Sequence, residues 1–215
     1  MTYATVTTGA ITPKTLTATV TTQNRAYDGT TDGTITGCTL SGVIGTEDVT
    51  CVTSGATATF DTKHIGTAKT VTIAGLTTGG SATLANYTLA SGASSSANIT
   101  AKALTVSGLT GTGRVYDGTT TASATGSASL VGIVSPDIVT IGGSPTFTFV
   151  SANAGVGVSI TTTGYTLGGA NASDYSITQP TLSATITPKT LTATVTTQNR
   201  AYDGTTDGKI GRAHV

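Results

Sequence analysis

Charged side chains are scarce in this chain, and their scarcity excludes several kinds of partner. Lys, Arg, Asp and Glu make up 9% of the 215 residues, and the formal net charge is zero. An average globular protein carries about 25% charged residues. A nucleic-acid partner requires a basic surface that neutralises phosphates, so we expect none. No apolar run approaches the roughly 20 residues that cross a bilayer, so we expect no membrane insertion in this segment.

Side chains suited to catalysis are equally few. Glu47 is the sole glutamate, and the histidines are His64 and His214. Acid–base catalysis needs titratable groups held in position, and no Gly-x-Ser-x-Gly turn or comparable motif accompanies these residues. The chain contains internal repeats, and their comparison matches Asp48 with Asp137 and Glu47 with Pro136. His64 has no histidine counterpart. We expect no catalytic residues, no cofactor and no enzymatic activity.

Threonine and glycine are abundant instead. The chain has 54 Thr and 28 Gly. Threonine is β-branched and favours strands, whereas glycine supplies turns. Apolar residues alternate with small or polar ones at Leu16–Val20, Val71–Ile73, Phe147–Phe149 and Val156–Ile160. Because alternation with period two marks strands that bury one face, the sequence predicts an all-β fold.

The strongest pattern is an internal repeat. Residues Ile11–Gly33 recur unchanged at Ile186–Gly208, and Ile99–Thr121 is a divergent copy. The match continues further on, where GVIGTEDVT at Gly42–Thr50 parallels GIVSPDIVT at Gly132–Thr140. Repeats of fixed period indicate a chain built from similar units. Lysines mark the three unit starts, 88 and 87 residues apart, at Lys14, Lys102 and Lys189.

These starts predict a division of the chain. It consists of the closing strand of a preceding module at 1–13, module one at 14–101, module two at 102–188, the truncated start of module three at 189–209, and a tail at 210–215. The tail, Ile210–Val215, is what ATC GGA AGA GCA CAC GTC encodes, which resembles read-through of a sequencing adapter. Our hypothesis is that this tail is not native protein, so His214 carries no chemistry.

Each module has the length and strand signals of a small two-sheet sandwich. Turn pairs such as Asp-Gly and Ser-Gly interrupt the strands at intervals of roughly 8–12 residues, the spacing of sandwich folds. We therefore predict tandem Ig-like β-sandwich modules, with a β-solenoid as the alternative. Pro13 and Pro188 lie at module joints. Proline stiffens a short linker, so we expect the modules to form a rod.

A Tyr-Asp-Gly motif recurs three times between similar flanks, such as the preceding ITPKTLT and the closing ATITPK. This pattern resembles the YDG repeat of large bacterial surface proteins, including filamentous-haemagglutinin-like adhesins, in which related Ig-like repeats also occur. The resemblance covers residues 11–209. It implies a secreted or surface-anchored bacterial protein with adhesive or spacer repeats, and it offers no catalytic residues. The motif residues are Tyr27, Asp28 and Gly29, then Tyr116, Asp117 and Gly118, then Tyr202, Asp203 and Gly204.

We interpret the motif as structural. The tyrosine ring can cover one end of the core. Asp-Gly forms a turn in which the aspartate accepts hydrogen bonds from nearby backbone N–H groups and the glycine takes a positive φ. The hydroxyls of Thr30 and Thr119 can add bonds to this turn. An arginine two residues before each tyrosine shares its strand face, so we expect Arg–Tyr stacking. The arginines are Arg25, Arg114 and Arg200.

Two features leave alternatives open. Cys38 and Cys51 lie only in module one, and they form either a disulfide or two free buried thiols. In the stretch from Asp28 to Gly33, two carboxylates lie four residues apart without the pattern of a known calcium loop. Weak calcium binding at module joints therefore stays an alternative to a purely structural role.

The leading hypothesis for function is a non-catalytic stalk or spacer segment of a bacterial cell-surface adhesin, located outside the cell, with an adhesive role left open. Its partners would be neighbouring modules and an unidentified glycan or protein ligand. A first alternative is a carbohydrate- or protein-binding module that uses loops at the module ends. A second is an accessory repeat beside a catalytic domain.

Overall fold

A computed structural model describes residues 9–197 and 199–206 of the chain. Within these ranges the regular structure is β-strand, apart from two short 3₁₀ helices at Leu84–Asn86 and Ala172–Asp174, which confirms an all-β protein. Residues 9–13 have no regular secondary structure. The expectations for residues 1–8 and for the tail at 210–215 lie outside the described residues. No helix in the described part is long and apolar enough to span a membrane.

The strands follow the two modules in order. Module one contains β1 (Lys14–Thr22), β2 (Arg25–Ala26), β3 (Asp32–Gly33), β4 (Ile35–Ser41), β5 (Thr50–Val52), β6 (Thr57–Phe60), β7 (Gly66–Ala74), β8 (Thr77–Gly79), β9 (Tyr87–Leu89) and β10 (Ser94–Thr100). Module two contains β11 (Lys102–Gly111), β12 (Arg114–Val115), β13 (Ala124–Val131), β14 (Thr140–Phe149), β15 (Gly155–Gly168), β16 (Tyr175–Thr178) and β17 (Thr181–Thr187).

The two modules use the same strand order. Module one has a sheet β4-β1-β9 and a sheet β2-β10-β7-β6-β3, with β5 and β8 as a separate pair. Module two repeats these orders as β13-β11-β16 and β12-β17-β15-β14, with no strand in the place of β3 and no separate pair like β5-β8 among its described residues. In each module the last strand of the first sheet runs parallel to its neighbour, β1 with β9 and β11 with β16. The short strand before Tyr-Asp-Gly also pairs in parallel, β2 with β10 and β12 with β17. The repeat seen in the sequence is therefore a repeat of topology.

The chain forms two compact units, whose limits differ from those of the sequence modules. The first unit takes in the described residues up to Thr105 together with Leu130–Gly142 and Thr166–Thr178. Its core contains buried side chains from both sheets of module one, together with Leu104 and Tyr175 of module two. The core of the second unit is smaller and centres on Phe149, Ile160 and Ile186. The module boundaries remain a prediction from sequence.

The expected alternation of buried and exposed residues holds along most strands, with one exception. Leu16 and Val20 of β1 are buried while Thr17 and Thr19 are exposed. Val156 was expected on the buried face of β15, but it is 90% exposed. The pairing of β15 with β17 shifts register between Gly155 and Val158. A shift of this kind turns a side chain to the other face, which explains why Val156 departs from the pattern.

A disulfide joins the two cysteines of module one. Cys38 lies on β4 and Cys51 on β5, with their Cα atoms 5.8 Å apart. The bond ties β4 of the first sheet to the separate β5-β8 pair.

Candidate functional site

The Tyr-Asp-Gly motif of module one forms a tight turn held by its own aspartate. Asp28 Oδ1 accepts hydrogen bonds from the backbone N–H and the hydroxyl of Thr30, both at 2.9 Å. Gly29 has a φ of +85°, a conformation that L side chains rarely adopt. The backbone N–H of Tyr27 donates to the carbonyl of Thr100 at 2.8 Å. This bond holds the tyrosine beside the last strand of its own module.

The other two motifs form the same turn. Asp117 Oδ1 accepts from the N–H and hydroxyl of Thr119 at 2.9 Å, and Asp203 Oδ1 accepts from those of Thr205 at 3.1 and 3.0 Å. Gly118 and Gly204 have φ angles of +81° and +75°. Because three copies repeat one geometry, the turn is a property of the motif itself.

The arginine before each tyrosine supports the turn, but it does not stack on the tyrosine. Arg114 pairs with Asp117 at 2.6 Å, and Arg25 and Arg200 pair with the aspartates of their own turns. The guanidinium of Arg25 lies over the ring of Phe60, 5.2 Å from its centre, and that of Arg114 lies 5.3 Å from the centre of Phe149. The expected Arg–Tyr stacking is wrong at the first two motifs, because a phenylalanine from a more distant strand of the same sheet occupies the guanidinium face.

The tyrosine of the first motif reaches into module two. The Tyr27 hydroxyl donates to Asp137 Oδ2 at 2.8 Å, and the Tyr27 ring meets that of Tyr175 edge-on with centres 5.3 Å apart. The Tyr175 hydroxyl donates to the same oxygen at 2.6 Å and accepts from the N–H of Val134 at 3.1 Å. Only 1% of Tyr27 is exposed. We name the inter-module joint the cluster formed by Tyr27, Gly29, Lys63, His64, Ile65, Val134, Asp137, Asp174 and Tyr175.

A lysine completes the charge balance of the joint. Lys63 Nζ lies 3.5 Å from Asp137 Oδ1 and 5.9 Å from the centre of the Tyr27 ring. The hydrogen bond from Tyr175 holds the pKa of Asp137 below its usual range, aided by Tyr27 and Lys63 against the opposing effect of burial. Burial, followed by the hydrogen bond to Asp137, raises the pKa of both Tyr27 and Tyr175 to about 12. A neutral tyrosine pair therefore shares one ionised aspartate.

A second aspartate of module two anchors the loop after β6. Asp174 is 1% exposed, and its Oδ2 lies 2.7 Å from His64 Nδ1 while its Oδ1 accepts from the N–H of Ile65 at 3.1 Å. Close packing adds to these polar contacts. A Cβ on Gly29 would lie 2.8 Å from Val134 Cγ1. The residues of the joint all belong to the first compact unit.

Module one carries the acceptor half of the same arrangement. The Tyr87 hydroxyl donates to Glu47 Oε2 at 2.6 Å and accepts from the N–H of Ile44 at 3.2 Å. Glu47 is therefore the counterpart of Asp137, and the match of Asp48 with Asp137 made from the sequence is wrong. Asp48 instead accepts from the N–H and hydroxyl of Ser81. The sequence comparison paired two aspartates and so missed this match, although the ungapped alignment of Gly42–Thr50 with Gly132–Thr140 places Glu47 opposite Asp137.

The candidate catalytic side chains are placed in separate hydrogen-bond sets. His64 contacts Asp174, whereas Glu47 contacts Tyr87. Within the described residues, His64 is hydrogen-bonded to no serine, threonine or cysteine that could act as a nucleophile. In the same ranges no group of three or more His, Cys, Asp or Glu side chains lies close enough to hold a metal ion.

The geometry defines a class of protein: an all-β repeat whose Tyr-Asp-Gly turn contacts the repeat that follows. The model of the YDG domain family matches residues 12–96 and again 100–182. The chain belongs to the YDG domain family. No curated protein and no solved structure matches it.

Sequence reasoning singled out Tyr27 but missed its partners in module two. The signal for Tyr175 was present, because Asn86-Tyr87 and Asp174-Tyr175 occupy matching places in the two repeats. Lys63 carried no such signal, since its counterpart in module two is Ala152.

Proposed function

We propose that this chain is a non-catalytic repeat segment of a bacterial cell-surface adhesin, in which Ig-like sandwich modules act as a stalk or spacer. The observation that carries the proposal is the burial of Tyr27 of one repeat against Asp137 and Tyr175 of the next. A spacer works by transmitting position and force along its modules, so it needs joints that resist bending. A catalytic module has no such need.

The joint has the chemistry of a durable contact. Tyrosine buries an apolar ring and still places its hydroxyl on a partner, as Tyr27 does here. Hydrogen bonds to a charged acceptor contribute about 1.5–3 kcal/mol each. Asp137 receives two of them and lies near Lys63, so its buried charge is compensated. Because the bond from Tyr27 joins module one to module two, bending at the joint must break it.

Two further observations support a location outside the cell. Disulfides persist in oxidising compartments, and Cys38 is bonded to Cys51. The surface relies on threonine rather than on charge, with 54 threonines in the chain. Family membership adds the recurring Tyr-Asp-Gly turn, which resembles that of large bacterial surface adhesins.

The relative motion of the modules tests the spacer role. Nuclear spin relaxation of the full chain should give one common tumbling time for residues of modules one and two. Tyr27→Ala should let the modules tumble separately, because it removes both the ring and the hydroxyl from the joint. Tyr116→Ala is the matched control, since Tyr116 is 39% exposed and should leave tumbling unchanged.

A screen of the chain against a glycan array tests the same proposal from the side of recognition. A pure spacer should bind no glycan. Specific binding that disappears when a loop at a module end is changed would favour a carbohydrate-binding module, and it would contradict the spacer proposal.

A further inference from the structure

The acceptor half of the joint occurs twice in this chain, once covered and once open. We call it the acceptor face: Val134, Asp137 and Tyr175 in module two, and Ile44, Glu47 and Tyr87 in module one. In both copies a tyrosine hydroxyl donates to the carboxylate at 2.6 Å and accepts a backbone N–H. The preformed geometry in module one is therefore the geometry that receives Tyr27 in module two.

Exposure separates the two copies. The side chain of Asp137 is 3% exposed beneath Tyr27 and Lys63, whereas Glu47 is exposed. Ile44 is 53% exposed, while its counterpart Val134 is half-buried and packs on Gly29. The acceptor face of module one thus keeps its internal hydrogen bonds but has an uncovered carboxylate and an uncovered apolar neighbour.

The chain leading into module one arrives at this face. Pro13 and Lys14 line the same shallow pocket as Glu47 and Tyr87. Just before them, Ile11 is 100% exposed, although its repeat counterparts Ile99 and Ile186 are core residues at 2% and 1%. Ile99 lies on β10, the strand that pairs with β2 and so holds Tyr27 in place. Ile11 therefore occupies the position that, in its two later copies, is a buried residue on the strand beside the Tyr-Asp-Gly turn.

We propose that the acceptor face of module one binds the Tyr-Asp-Gly turn of a repeat placed immediately before it in the same polypeptide. The incoming tyrosine hydroxyl donates to Glu47, its ring packs edge-on against Tyr87, and its glycine lies against Ile44. This inference extends the proposed function and rests on it in part, because it makes the joint a rule for successive repeats rather than a single contact.

The chemistry of Glu47 suits this role. A carboxylate offers about four lone-pair sites, and Asp137 already accepts two hydroxyl groups on one oxygen. Glu47 receives one hydroxyl, from Tyr87, on Oε2. Because Glu47 is exposed, its carboxylate is accessible to a second tyrosine hydroxyl.

The test extends the full chain by one repeat. A second copy of residues 14–101 is inserted between Pro13 and Lys14, so that the Tyr27 of the added copy faces the resident Glu47 and Tyr87. An exposed Thr39→Ser change in the added copy distinguishes its Tyr27 peptide by mass. Nitration with tetranitromethane, followed by peptide mass spectrometry, then measures how accessible each tyrosine is.

The expected result is protection of the added Tyr27 to the level of the resident one. The added Tyr27 should be nitrated at least about tenfold more slowly than Tyr116, because a hydrogen bond to a charged acceptor stabilises by about 1.5–3 kcal/mol. Glu47→Ala in the resident copy should return the added Tyr27 toward the Tyr116 rate. The same Glu47→Ala change in the added copy is the matched control, and it should leave every Tyr27 unaffected.

Other results would overturn the inference in distinguishable ways. Fast nitration of the added Tyr27 with the resident Tyr27 still protected would refute the new site and leave the proposed function intact. Fast nitration of both, in a chain that circular dichroism shows to be folded, would refute both. Protection that grows with protein concentration would assign the face to a second copy of the chain instead.

Discussion

The hydroxyl of Tyr27 donates a 2.8 Å hydrogen bond to Asp137, a residue 110 positions further along the chain. The bond links the turn that names the family to the body of the next repeat. Tyr116, the second copy of the same tyrosine, is 39% exposed, and Tyr202 is 96% exposed. One sequence motif thus occurs in covered and uncovered settings, and this supplies internal controls.

Removal of the Tyr27 hydroxyl should weaken the fold measurably. Tyr27→Phe keeps the ring but takes one donor from the buried Asp137, so we expect the free energy of unfolding to fall by about 1.5–3 kcal/mol. Urea denaturation of the full chain measures the change. Tyr116→Phe should alter it by less than about 0.5 kcal/mol, as is usual at exposed positions. Equal losses in the two variants would show that Asp137 gains nothing from Tyr27.

A methyl group at Gly29 should reveal the close approach of the two repeats. Gly29 and Gly118 have nearly equal φ angles of +85° and +81°, so alanine costs a similar backbone strain of about 1 kcal/mol at each. Only at Gly29 does the new Cβ meet Val134, at 2.8 Å, whereas at Gly118 the nearest atom is 4.0 Å away. We expect Gly29→Ala to lower the free energy of unfolding by about 1–3 kcal/mol more than Gly118→Ala does, because valine is stiff and overpacking is costly.

Thermal unfolding of the two glycine variants measures this difference. Val134→Ala in the background of Gly29→Ala should recover much of the additional loss, because it removes the clashing Cγ1 atom. A Gly29→Ala variant no less stable than Gly118→Ala would mean that the turn and Val134 do not touch in solution.

The strand pattern could be predicted from the sequence, because alternation along β1, β7 and β14 follows from one buried face per strand. The Tyr-Asp-Gly turn could also be predicted, since its bonds run between residues two apart, such as Asp28 and Thr30. The joint could not. Its partners are far apart in sequence, and Lys63 and His64 have no like residue in module two. A long-range contact depends on how whole strands pack, which local pattern does not specify.

Reduction of the disulfide should act on one repeat alone. Mass measurement of the intact chain should show a gain of two hydrogen atoms on reduction, since Cys38 and Cys51 are bonded. Closing a loop of this size stabilises by about 3 kcal/mol on the chain-entropy estimate. A Cys38→Ser/Cys51→Ser variant should therefore lose about that much from module one, while module two, which lacks cysteine, keeps its stability. An unchanged mass after reduction would show that the thiols are free.

Alkaline titration should identify the tyrosines of the joint. The pKa of Tyr27 and of Tyr175 is raised from 10.0 to about 12, so the folded protein retains protons that the unfolded chain releases. The stabilisation they provide is present below pH 10, roughly their unfolded pKa, and is lost as the pH rises through about 12. Tyrosinate absorbance against pH should therefore show a late step that coincides with loss of native circular dichroism.

Tyr27→Phe should remove one tyrosine from that step and move the loss of structure to lower pH, because Asp137 then keeps only the Tyr175 hydroxyl and Lys63 as partners. Tyr202→Phe should leave both unchanged, since Tyr202 is 96% exposed. If the late step survives intact in Tyr27→Phe, the buried pair does not share the Asp137 carboxylate.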